Sequence, residues 1–140
     1  IADKAIDIFR QLYLADYRIE RMVLIDNYDA DDESSMRANN SSSFNFRFMT
    51  GSTTKISKHG LGLAIDINTL YNPYVKEVDG QTVVEPETAL PYVDRTLDFP
   101  YKIDHGDLCY KLFTEHGFVW GGDWETRKDY QHFEMPDTEE

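Results

Sequence analysis

One stretch of the chain sets reactive side chains into a pattern otherwise suited to burial: Ser57-Lys58-His59-Gly60-Leu61-Gly62-Leu63-Ala64-Ile65-Asp66-Ile67-Asn68. Strand alternation places Leu63, Ile65 and Ile67 on one face and Ala64, Asp66 and Asn68 on the other. The first face is core; the second is a small polar floor. A carboxylate on that floor is costly to bury unless something pairs with it. Gly60 and Gly62 permit a sharp turn after His59, so the imidazole can fold back over the floor. Two kinds of partner for Asp66 are open at this level: a cation, Lys58 or Arg47, or a divalent metal shared with His59. Zinc takes imidazole nitrogen at roughly 2.0–2.1 Å and carboxylate oxygen at roughly 2.0–2.2 Å, and a catalytic site needs a third ligand with a fourth position left for water.

Three further histidines compete for that third place. His105 falls in the first turn of an expected helix and reads as a surface residue. His116 lies at the end of the same helix, where it suits packing and the last carbonyls. His132 begins a strand and has Asp129 three residues before it, an acid able to reach water at a metal that His132 holds. Glu134 is a rival base, because alternation puts it on the same side as His132; the other reading is a carboxylate that supports the ligand. Ser57 would bond substrate or stabilise the turn before His59. Trp120, Trp124 and Tyr130 would line a peptide cleft or serve as core, and Asp123 would meet the free amine of a diamino acid.

These residues need elements to carry them. Ala2, Ala5, Ile6, Phe9, Leu12 and Tyr13 predict an amphipathic helix over 2–16. Met22–Ile25 reads as a short buried strand, and Asp29–Glu33 as a solvated acidic turn whose spacing lacks the glycine and terminal glutamate of a calcium loop. Asn39–Ser43 is loop chemistry leading into an alternating strand, Phe44-Asn45-Phe46-Arg47-Phe48. Residues 71–103 hold four of the five prolines and an Asp79-Gly80 turn between valine-rich arms, which predicts a hairpin within a long surface excursion. Asp104 is placed to cap a helix with the stripe Cys109, Leu112, Phe113 and His116, closing at Gly117. Residues 118–124 and 130–134 read as two strands separated by a loop. The class is α+β, one domain over 1–140.

Composition narrows the partners. With 140 residues the chain can build one real core, and 41% hydrophobic content fits a globular fold. A net charge of −12 excludes a nucleic-acid binder and offers nothing basic to an anionic membrane. No run is long enough to span a bilayer. Cys109 is the only cysteine, so an internal disulfide is excluded and the residue reads as a small buried apolar group. The chain starts at Ile1 rather than methionine, which suggests a trimmed fragment whose signal or anchor lay upstream.

Ser57-x-His59-x-x-Gly62-x-Ala64-x-Asp66 resembles the S-x-H-x-x-G-x-A-x-D signature of the zinc D-alanyl-D-alanine carboxypeptidase and dipeptidase family, which includes L-alanyl-D-glutamate endopeptidases. Asp129-Tyr130-Gln131-His132-Phe133-Glu134 is similar to its second signature, and Arg47 to its arginine near the scissile bond. The resemblance covers roughly residues 35–135, interrupted by the excursion. It implies the hedgehog/DD-peptidase fold and one zinc held by His59, Asp66 and His132. It also implies Asp129 as general base, Arg47 on the carbonyl or oxyanion, and peptidoglycan stem peptides as substrate. Monomeric action in the envelope of a bacterium follows from the same resemblance. The carboxypeptidase branches commonly carry glutamate where this chain has Asp129, and the endopeptidase branch commonly carries aspartate. A zinc-bearing binding module of the same fold is the other reading.

Overall fold

A computed structural model describes residues 2–43 and 57–136. The strand expected over 44–48, with Arg47, lies outside the described residues. Helix α1 spans Ala2–Leu14. Its buried face is Ala5, Ile8, Phe9 and Leu12, whereas Ile6 and Tyr13 of the expected stripe are exposed. Ile8 and Leu12 sit one helical turn apart and meet α3, Leu108–Glu115. Cys109, Leu112 and Phe113 of α3 are buried as expected, and Gly117 follows the helix with a positive φ of 90°.

The helix begins later than the sequence suggested. Asp104 turns its carboxylate onto the Gly106 amide and closes a local turn, so Asp107 becomes the cap and accepts from the Cys109 amide. His105 therefore precedes the helix rather than sitting in its first turn. At the far end, His116 bonds through Nδ1 to the Leu112 carbonyl and through Nε2 to Asp7 of α1, each at 2.7 Å.

That pair makes stability depend on pH. The Asp7 hydrogen bond raises the His116 pKa above 6.5, and the same bond holds Asp7 below 3.8. The His116 contribution is complete below pH 6.5 and is lost as pH rises through its raised value. The Asp7 contribution is complete above pH 3.8 and is lost as pH falls through its lowered value. In urea titrations, His116→Gln should flatten the decline on the alkaline side of pH 6.5. An unchanged slope would remove the pair from the account.

Two small antiparallel sheets carry the rest. In the first, β6 (His132–Glu134) lies between β1 (Ala64–Asp66) and β4 (Val119–Trp120). Ile65 faces Phe133 across the ladder and Asp66 faces His132, so one side of the pair is apolar and the other polar. The Phe133 ring stacks on Phe113 with centroids 4.3 Å apart, which fastens the sheet to α3. In the second sheet, β2 (Tyr74–Val78) lies between β3 (Gln81–Glu85) and β5 (Lys128–Asp129).

The β2–β3 hairpin turns at Asp79-Gly80, both with positive φ, as the sequence predicted. The excursion is not confined to the surface, however: Asn72, Ala89 and Ile103 are fully buried. Asn72 donates to the carbonyls of Asn68 and Tyr101 and accepts from Arg95 Nη2 and the Ile103 amide. All four of its bonding directions are filled, which stitches both ends of the excursion to the sheet.

Met22–Ile25 is not a buried strand. Met22, Val23 and Leu24 are exposed, Leu24 at 76%, and Ile25 opens a 3-10 turn to Tyr28. The Asn40 side chain bonds both the amide and the carbonyl of Val23, taking the place of a neighbouring strand. The acidic turn that follows ends as a cap: Asp31 accepts from the Ser34 amide at the start of α2, Asp32–Arg37. Among the described residues no helix is long and apolar enough to cross a membrane.

Candidate metal centre

The polar side of the β1–β6 pair sets Asp66 directly opposite His132. His59 arrives from the turn before β1, which closes by bonds from Leu63 N to the Lys58 carbonyl and from Gly62 N to the His59 carbonyl. Gly62 makes that turn with a φ of 70°, a conformation glycine adopts without strain. The Ser57 hydroxyl accepts from the Gly60 amide at 3.2 Å, the turn-stabilising role.

The three side chains converge. His59 Nε2 lies 3.2 Å from His132 Nδ1 and 3.1 Å from Asp66 Oδ2, while His132 Nδ1 lies 2.9 Å from Asp66 Oδ1. All three are largely buried. Four donors arranged tetrahedrally around zinc at roughly 2.0–2.1 Å stand about 3.3 Å from one another. The observed separations are close to that spacing, and the set of two imidazoles and one carboxylate suits zinc chemically.

The outer partners fit as well. His59 Nδ1 donates to the Ser43 carbonyl at 2.6 Å, which turns the Nε2 lone pair inward. His132 Nε2 donates to Glu134 Oε1 at 2.8 Å, which turns its Nδ1 inward. Each ring is thus held by the nitrogen that points away from the cluster. Of the two readings of Glu134, this bond matches the carboxylate that supports the ligand. Lys58 bonds the Met135 carbonyl at 2.9 Å and approaches Glu134 at 3.8 Å, rather than pairing with Asp66.

Charge at the centre is strongly organised. Burial opposes ionisation of Asp66, but His59 and His132 outweigh it and hold the carboxyl far below the usual range. Burial likewise opposes the His132 imidazolium. Asp66, Glu134 and the more distant Asp129 prevail and push its pKa up to about 10. This pocket of anionic groups favours a cation.

Asp129 stands at the rim, with Oδ2 3.9 Å from His132 Nδ1. It is carried by β5, and Tyr74 of β2 is its partner across the ladder. Gly121 lets that backbone come close: a Cβ there would lie 2.5 Å from the Asp129 carbonyl oxygen. The Trp124 ring packs 5.3 Å from the His132 ring. Tyr130 is half-buried against the core under Arg95, and Trp120 is core. Asp123 is exposed and its carboxylate meets His105 Nε2 at 2.5 Å. The signal missed in the sequence was Ser43: a backbone carbonyl leaves no trace in residue type.

An α+β frame thus brings together a buried His-Asp-His donor set that could hold a metal ion and a carboxylate at its rim. The family model described as D-alanyl-D-alanine carboxypeptidase matches residues 50–135, and the chain belongs to that peptidase family. No curated protein and no solved structure matches the chain.

Proposed function

We propose that the chain is a zinc peptidase that hydrolyses an amide bond in the peptide stems of bacterial peptidoglycan. We assign it one zinc, a single domain over 1–140 of the hedgehog/DD-peptidase fold, and monomeric action at the cell envelope. The observation that carries this reading is the convergence of His59, Asp66 and His132 beside Asp129, in a chain of this family. Zinc bound by those three side chains supplies a Lewis acid for the scissile carbonyl and lowers the pKa of water to about 7.

The remaining work falls to the chain. Ser43 and Glu134 fix the two imidazoles, so the donor set is formed before substrate arrives. Asp129 takes a proton from the attacking water on its carboxylate and returns it to the departing amine. Arg47 is assigned the negative charge that grows on the carbonyl oxygen. Trp124, packed beside His132, is assigned a wall of the substrate cleft and Asp123 the amine of a diamino acid. Ser57 and Tyr130, engaged in the turn and against the core, are assigned to its support.

Incubating the zinc-loaded protein with defined stem peptides and weighing the products tests the reading. Release of terminal D-alanine identifies a carboxypeptidase, and a cut between L-alanine and D-glutamate identifies an endopeptidase. A protein with one zinc per chain that cuts neither is a binding module instead.

A further inference from the structure

The chain is strongly acidic, and its buried cations are engaged: Arg95, for example, bonds the carbonyls of Tyr71 and Ile103 and the side chain of Asn72. Arg127 is different. It is half-buried, yet no carboxylate of the described residues lies within ion-pair distance of it. Its guanidinium lies 4.4 Å from the centre of the Trp124 ring, whose own centre is 5.3 Å from the His132 ring. The arginine is therefore within about 10 Å of the metal ligand, held on an aromatic face that fixes its plane.

Two further features place it beside Asp129 and its ladder partner. Arg127 lies two residues before Asp129, in the bend that leads into β5, and Lys128 between them bonds the Gly122 carbonyl. Burial raises the pKa of Tyr74, the ladder partner of Asp129, and the Arg127 charge opposes that rise. A guanidinium stacked on tryptophan keeps its edge for hydrogen bonding, and that edge matches a carboxylate in a bidentate manner.

We propose that Arg127, seated on Trp124, recognises a carboxylate of the substrate near the scissile bond. The proposal rests on the peptidase reading and adds a specificity residue to it. Peptidoglycan stems offer this group from two sources, the terminal carboxylate of D-alanine and the α-carboxylate of D-glutamate.

The test uses two matched pairs of peptides with the zinc-loaded protein. One pair ends in D-alanyl-D-alanine as free acid or as amide. The other contains L-alanyl-γ-D-glutamyl with its α-carboxylate free or amidated. Cleavage is followed by mass, and binding to the same peptides by calorimetry. Wild type should favour one acid over its amide by about tenfold or more, the range expected for a charged hydrogen-bonded pair. In Arg127→Gln that ratio should collapse towards one, with zinc content and melting temperature unchanged. Arg127→Lys should restore only part of it. Whichever pair responds names the carboxylate. A ratio near one in wild type, or a ratio that survives Arg127→Gln, overturns the proposal. Acid-selective binding lost in Arg127→Gln, without cleavage of either pair, upholds Arg127 and rejects the peptidase reading instead.

Discussion

Asp66→Asn is expected to empty the metal centre and destabilise the fold together. Among the described residues its carboxylate is the anion between His59 Nε2 and His132 Nδ1, which otherwise face each other at 3.2 Å. Structural zinc contributes roughly 10–16 kcal/mol when fully ligated. Losing one of three protein donors should weaken affinity by more than the roughly 10–100-fold that follows loss of a supporting partner. Elemental analysis after gel filtration should fall from one zinc per chain to a small fraction, and peptide cleavage should fall to background. The metal-free variant should also unfold more easily than metal-free wild type, by about 3–5 kcal/mol, the usual effect of breaking a buried charged contact. Full zinc content in Asp66→Asn would exclude Asp66 as a ligand.

Asp129→Asn and Glu134→Gln are expected to separate two carboxylates that both approach His132. Asp129 lies 3.9 Å from the nitrogen turned inward, and Glu134 lies 2.8 Å from the nitrogen turned outward. Loss of the base should leave zinc in place and lower kcat by about 10²–10⁴. Glu134→Gln keeps an acceptor but loses its charge, so zinc should bind about 10–100-fold more weakly while kcat at saturating zinc stays near wild type. The reverse pattern would give Glu134 the base role and leave Asp129 a supporting one.

How far the site was legible depended on distance along the chain. Strand alternation around Asp66 identified the core face, because Ile65 and Ile67 pack as the pattern requires. Alternation could not say that residue 66 pairs with residue 132, since ladder register is set by nonlocal packing. The resemblance to a known family supplied that link. The failures were local competitions between similar residues. Asp104 and Asp107 both suit a cap, and Asp104 spends its carboxylate on its own turn. Met22–Ile25 has strand composition, yet the Asn40 amide satisfies the Val23 backbone without a strand neighbour. In α1, Ile6 and Ile8 are alike in type, and only packing against α3 determines which is buried.

The two small sheets divide the proposed machinery between them. Asp66 and His132 ride on the β1–β6–β4 sheet, whereas Asp129 rides on the sheet built from the hairpin. The assigned ligands Asp66 and His132 and the assigned base thus sit on separate sheets. These are held together by the Tyr130-Gln131 link, by the Asn72 bonds to Asn68 and Gln131, and by the close approach of Gly121 to Asp129. Sequence drift in the 74–85 hairpin can re-aim Asp129 while the spacing of Asp66 and His132 is kept. On the proposed assignment, a lineage can in this way retune turnover without changing metal affinity.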